Sequence, residues 1–300
     1  MSDNQELHGV VVPIITPVDA EDRVDELAFR QVIRYLIDAG VHGLFVGGSA
    51  GEGPLLTSTE WERMMVIALD ETAGALPLLG GVMETSTQRA IAKIEILRDI
   101  GYRLYALSPT FYLTLHADTE HLRLFGACKE AVPELEMVVY NIPSCTHSTI
   151  HVETFLEMAR RGWLRYCKES SGDPELLLPL IERGQELGVR VLVGEERLMY
   201  EGLIAGGVGM VPVGANYEPS SYVQLYEAAL RLDEEEMTRL MQRVRYVCTT
   251  LTGGTSWLAG IKYALAQRGI GSGKPVSPLE PTDDDRAALI DAITPVDESR

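Results

Sequence analysis

Between residues 9 and 231, eight short apolar runs alternate with eight longer amphipathic ones, and no other feature constrains the fold of this chain so tightly. The short runs are "GVVVPIITP" (9–17), "GLFVGG" (43–48), "LPLLGGV" (76–82), "RLYALSP" (103–109), "EMVVYNIP" (136–143), "LRYCKE" (164–169), "RVLVGE" (190–195) and "GVGMVPVG" (207–214). Between and after them, apolar residues recur at helical spacing over 25–39, 58–73, 86–100, 117–131, 150–161, 174–187, 196–205 and 218–231. Gly, Pro, Asp or Ser stands at most junctions, where such residues stop one element and start the next. A regular β–α alternation specifies parallel strands joined by crossover helices. Eight units predict an α/β fold of the (β/α)8 TIM barrel type. A doubly wound open sheet is the alternative, ranked lower because the eighth strand is followed by a helix as regularly as the first.

Residues 233–293 read as helix only, in "DEEEMTRLMQRVRYVCTTL", "SWLAGIKYALAQRG" and "TDDDRAALIDAI". No linker-like segment precedes them. The expected organisation is a barrel over 1–232 with a helical extension over 233–300 packed on it, one domain overall. A length of 300 residues at 46% hydrophobic content is enough to bury a large core of that kind.

Composition narrows the partners. A net charge of −18 argues against nucleic acid or an anionic membrane surface, which select basic faces. No apolar run reaches the eighteen or so residues of a membrane span. The start, "MSDNQELHG", is acidic and polar, so the expected location is cytoplasmic. Cys128, Cys145, Cys167 and Cys248 are scattered with no C-x-x-C pair, which predicts reduced thiols and no structural zinc. His147 and His151 stand four apart like a helical metal pair, but they straddle a loop-to-helix boundary without an obvious third ligand.

In a (β/α)8 barrel, chemistry gathers where strands end and βα loops begin. Among those tails are Gly47 to Glu52, Tyr140 to Pro143 and Lys168 to Ser170. The chain has only five lysines, and Lys168 alone closes a run that reads as a buried strand. An ammonium there loses solvation unless it is neutralised, paired or used. Partial desolvation lowers its pKa and frees an amine able to form a Schiff base with a ketone. Tyr140 occupies the matching place one strand earlier and is positioned to shuttle a proton. The loop "GGSAGEGP" offers backbone N–H groups to a carboxylate. Each piece has a plainer reading. Lys168 is also readable as a strand-end lysine paired with Glu169 or Glu52, Tyr140 as a core tyrosine, and the glycine-rich loop as an ordinary turn.

Taken together, "GSAGE" (48–52), "YNIPSCT" (140–146), "KESSGD" (168–173) and "GLIAGGVGMVPVGAN" (202–216) resemble the dihydrodipicolinate synthase/N-acetylneuraminate lyase family. The resemblance covers nearly the whole chain. It implies a Schiff-base enzyme acting on a 2-oxo acid such as pyruvate, with no metal and no organic cofactor. Lys168 would form the imine and Tyr140 would shuttle protons. Ser49 would hold the substrate carboxylate with the N–H groups of Ser49 and Ala50, beside Gly48. A homotetramer built as a dimer of dimers is implied, with a tyrosine after strand four reaching into the neighbouring subunit; Tyr112 or Phe111 takes that place.

Departures from the family pattern bear on the substrate. Ala50 stands where the synthases carry a second hydroxyl, and Cys145 where they carry an arginine for the second substrate's carboxylate. A thiol cannot replace that bidentate anchor, though Arg197 is able to approach from strand seven. Ser170 matches a hydroxyl that lyases use near substrate hydroxyls, and Glu196 with Arg197 falls where lyases face a polyol. Val213, ending strand eight, completes the expected substrate-binding set. The favoured expectation is reversible aldol cleavage of a 2-keto-3-deoxy sugar acid. Dehydration of such an acid, dihydrodipicolinate synthesis and a non-catalytic 2-oxo-acid binder are the alternatives.

Overall fold

The apolar runs become parallel strands: β1 (Gly9–Pro13), β2 (Gly43–Val46), β3 (Leu78–Val82), β4 (Leu104–Leu107), β5 (Glu136–Asn141), β6 (Tyr166–Glu169), β7 (Arg190–Val193) and β8 (Gly209–Met210). They hydrogen-bond in sequence order and close, β8 pairing with β1, into an eight-stranded barrel. This computed structural model describes residues 6–253 and 256–293.

Helices lie between the strands: α1 (Glu26–Asp38), α2 (Ser58–Thr72), α3 (Thr87–Ile100), α4 (Asp118–Ala131), the single turn α5 (Pro143–Thr146), α6 (Val152–Arg160), α7 (Pro174–Gln185), α8 (Met199–Ile204) and α9 (Pro219–Leu230). The junction residues of the sequence act as caps. Asp25, Thr57, Ser86 and Asp173 each accept a hydrogen bond from a backbone N–H in the first turn that follows, satisfying donors the helix cannot.

The strands read as unbroken apolar runs because both of their faces are buried. Val11, Phe45, Leu79, Ala106, Val138, Tyr140, Leu192 and Val211 belong to the cluster inside the barrel. Their neighbours Val10, Val12, Leu44, Val46, Val139 and Val193 join the larger cluster shared with the helices. At about 1.5–3 kcal/mol for each large side chain buried, these two layers dominate the stabilisation of the scaffold.

The strands end earlier than their apolar runs. The last is the shortest, two residues against the eight of 207–214. At Gly209 an added Cβ would stand 2.3 Å from the Gly9 carbonyl oxygen, so β1 and β8 meet backbone to backbone before the chain turns away. The helix expected over 196–205 begins as a tight turn, Glu196–Leu198, and only then becomes α8.

After the barrel come α10 (Glu234–Thr252), α11 (Trp257–Gln267) and α12 (Asp284–Ile293). Met237, Leu240, Met241, Val244, Val247 and Leu251 form the buried stripe of α10, at the three- and four-residue spacing of one helix face. Among the described residues, no helix is long and apolar enough to cross a membrane.

Candidate active site

Strand register places the central side chains. Tyr140 of β5 lies opposite Lys168 of β6, which lies opposite Leu192 of β7. Alternation then turns Lys168 into the barrel with Tyr140, while Glu169 faces the other way. Lys168 is only 4% exposed. Its Nζ sits 4.0 Å from the centre of the Tyr140 ring and 4.9 Å from that of Phe45.

The carboxylates that might have neutralised it are engaged elsewhere. Glu169 accepts from Asn141 Nδ2 at 3.0 Å and from the Ser171 N–H at 2.8 Å. Glu52 is paired with Lys262. Burial without a counter-charge pushes the Lys168 ammonium down from 10.5 to about 7. A cation–π contact contributes about 0.5–2 kcal/mol. The shift corresponds to roughly 5 kcal/mol. Desolvation wins, and a large share of this lysine is free amine at neutral pH.

The Tyr140 phenol is shifted the other way. Burial raises its pKa, opposed by the hydroxyls of Ser49 and Ser170 that stand beside it. It therefore keeps its proton across the neutral range. Ser170 Oγ is buried and makes no well-formed hydrogen bond of its own. Ser49 Oγ also meets Cys145 Sγ, at 3.9 Å.

Ser49 is carried by the loop after β2, which is coiled to the limit of its backbone. Gly47 has φ +68° and Glu52 φ +55°. A Cβ at Gly53 would fall 2.1 Å from the Gly47 carbonyl oxygen. Inside the loop the Glu52 N–H bonds the Ser49 carbonyl at 3.1 Å and the Gly53 N–H bonds the Gly48 carbonyl at 3.2 Å. Thr16 Oγ1 ties the loop to the end of β1 by donating to the Gly51 carbonyl at 2.7 Å. Neither the Ser49 nor the Ala50 N–H donates within the loop. Both N–H groups belong to the turn that carries the Ser49 hydroxyl to the Tyr140 phenol.

The structure thus brings together Lys168, Tyr140, Ser49, Ala50, Gly48 and Ser170. The other candidates are held in contacts of their own. Glu196 Oε1 accepts from the Gly214 N–H at 2.9 Å and from the Tyr222 hydroxyl at 3.1 Å, so this carboxylate binds the loop after β7 to the loop after β8. Arg197 is a rim residue, its side chain 75% exposed and its Nε 2.8 Å from Glu195 Oε1. Val213 is half-buried, and its carbonyl accepts from Asn216 Nδ2. Tyr112 is 89% exposed with φ +75°, whereas Phe111 packs on the cluster inside the barrel. His151 contacts Asp118 at 3.1 Å, and among the described residues no three metal-type ligands gather anywhere.

Two further contributors lie beside the amine. Phe45 supplies an aromatic wall for the amine. Gly194 supplies space, since a Cβ there would stand 2.0 Å from Ser170 Oγ and 2.9 Å from Lys168 Cε. Gly194 falls in the tail after β7, whereas nothing local singles out Phe45 within the apolar run of β2.

The chain as a whole resembles known proteins. The profile of the dihydrodipicolinate synthetase family matches residues 6–294. The chain belongs to that family. Within it, the chain is 35% identical over 288 residues to an uncharacterised DapA-like lyase of Halobacterium salinarum, covering 95% of this chain and 92% of that one. It is 32% identical over 234 residues to a 4-hydroxy-tetrahydrodipicolinate synthase of Methanothermobacter thermautotrophicus, covering 76% and 81%. The crystal structure of dihydrodipicolinate synthase from Bacteroides thetaiotaomicron superposes with a TM-score of 0.89 at 28% identity, covering 96% and 97%. Membership in the dihydrodipicolinate synthetase family makes the chain a lyase of the Schiff-base, class I aldolase type.

Proposed function

We propose that this family member reversibly cleaves a hydroxylated 2-oxo acid, a 2-keto-3-deoxy sugar acid or a close analogue, to pyruvate and an aldehyde. The observation that carries the reading is the buried Lys168 amine, without a carboxylate partner among the described residues and facing the protonated Tyr140 phenol at 4.0 Å from its ring centre. The amine attacks the 2-oxo carbon and water leaves, with Tyr140 passing the protons. The resulting imine withdraws electrons as the C3–C4 bond breaks, and the C4 hydroxyl proton passes to Tyr140, which has given its own proton to the departing water. The enamine takes a proton at C3, and water releases pyruvate. Ser49 and the N–H groups of Ser49 and Ala50 hold the carboxylate throughout. Neither metal nor organic cofactor enters this cycle.

The sugar-acid preference rests on two features. Ser170 Oγ is a buried hydroxyl without a settled partner, available to a substrate hydroxyl. The side chain beside Ser49 is the thiol of Cys145 and carries no positive charge. Synthesis of 4-hydroxy-tetrahydrodipicolinate is the second reading, favoured by relatives of that name. It requires a cation for the second substrate's carboxylate, and Arg197 would have to leave Glu195 to provide one. Dehydration of the same sugar acids uses the same imine. A tetramer is proposed from the exposed Tyr112 and Leu113, which project from the loop after β4 as a second subunit would need.

Steady-state rates with a panel of 2-keto-3-deoxy sugar acids, sialic acid, and aspartate semialdehyde plus pyruvate test the substrate. The reading expects the highest kcat/KM on a sugar acid. A clear preference for the semialdehyde would move the assignment to the synthase.

A further inference from the structure

Building on the Schiff-base reading, we propose that Lys262 and Glu52 are a positioning pair that aims the carboxylate-binding loop, so that the C-terminal extension is part of the active site. Lys262 of α11 is 2% exposed and Glu52 is 1% exposed, and their side chains are in direct ion-pair contact. Glu52 holds its left-handed backbone at the far end of the "GSAGE" turn, and its N–H bonds the Ser49 carbonyl at 3.1 Å. Any movement of Glu52 is therefore transmitted to Ser49 and to the Ala50 N–H between them.

The extension holds Glu52 from a second side as well. The Val276 N–H donates to Glu52 Oε1 at 2.8 Å. Lys262 Nζ donates to the Lys274 carbonyl at 3.1 Å, and Lys274 Nζ reaches Asp22 Oδ1 at 2.6 Å and the Ala20 carbonyl at 3.0 Å. The segment after α11 is thus fastened to the loops after both β1 and β2. Two of the five lysines serve this fastening. Buried ion pairs add little stability relative to well-packed apolar residues, so stability alone does not account for one here. What the pair does supply is a fixed direction for a loop whose N–H groups must point at an anion.

The test compares the unaltered protein with Lys262→Met, Lys262→Arg and the neutral double variant Glu52→Gln/Lys262→Met. Amide hydrogen exchange over residues 48–53 and the pyruvate concentration giving half-maximal borohydride-trapped imine are both measured. In Lys262→Met, exchange over the loop accelerates about tenfold or more and half-saturation rises about tenfold, while the trapping rate at saturation stays within about twofold; Lys262→Arg restores both. If Lys262→Met does not fold, the double variant, which leaves no orphan charge, carries the same comparison. Unchanged exchange and half-saturation in either folded variant overturns the proposal, as does a loss confined to the rate at saturation. Absence of any imine in the unaltered protein would remove the Schiff-base reading. The exchange comparison would still decide whether the pair holds the loop.

Discussion

Lys168 Nζ lies 4.0 Å from the centre of the Tyr140 ring, on the neighbouring strand, with no carboxylate to neutralise it among the described residues. A strand-end lysine kept for stability would be expected to have a counter-ion. This one has aromatic walls and a pKa brought down to about 7 by burial. The fold holds a destabilised cation where the proposed chemistry needs a free amine.

That burial should be measurable as a stability cost. The folded pKa of Lys168, about 7, lies below the unfolded value of about 10.4. Between those values the unfolded chain binds the proton that the folded chain rejects. The cost is therefore absent above about pH 10.4, grows as pH falls, and is complete below about pH 7. Lys168→Met is expected to raise stability near neutral pH by about 3 kcal/mol, an advantage that shrinks towards pH 10. Urea unfolding of both proteins across that range checks it. A less stable Lys168→Met at pH 7.5 would mean that the ammonium is paired after all.

The same shift sets the pH dependence of the first chemical step. Attack requires the free amine, so the rate of imine formation with saturating pyruvate is expected to rise with pH and level off, with its midpoint near 7. Stopped-flow or quench trapping from pH 5.5 to 9.5 would show this. A rate still climbing steeply above pH 9 would indicate a solvated lysine.

Tyr140→Phe removes the phenol and leaves the ring that packs on Phe45, 5.7 Å away between centroids. The fold should be retained and pyruvate should still bind. Turnover is expected to fall by about two to four orders of magnitude, with KM moving far less. Near-normal turnover would take Tyr140 out of the proton path.

Gly194→Ala tests the space around the amine. The added methyl would stand 2.0 Å from Ser170 Oγ and 2.9 Å from Lys168 Cε, so both side chains must move. Trapping of pyruvate on Lys168 is expected to slow by about a hundredfold in a protein with native circular dichroism. Unchanged trapping would show that the amine does not depend on this geometry.

Much of this was legible in the residues because parallel strands buried on both faces leave unbroken apolar runs that helices must separate. Lys168 and Tyr140 were legible as partners for the same reason, since each ends an adjacent run. The "GSAGE" turn announced itself through glycines that only a close-coiled backbone requires. Strand ends were less legible: β8 is only two residues long, and its ladder with β1 holds just the pairs Gly9–Gly209 and Val10–Met210. The partners of Glu196 and Glu52 were not legible at all. The Val276–Glu52 bond joins residues 224 apart in sequence, and nothing local marks Glu52 as held from the C-terminal helices or Glu196 as bound to Tyr222.

The central claim is that Lys168 forms the imine, and borohydride reduction in the presence of saturating pyruvate, followed by peptide mass analysis, tests it most directly. The account predicts one reduced pyruvate adduct per chain, located on Lys168 and absent from Lys168→Met. An unmodified Lys168, or an adduct on any of the other four lysines instead, would contradict it.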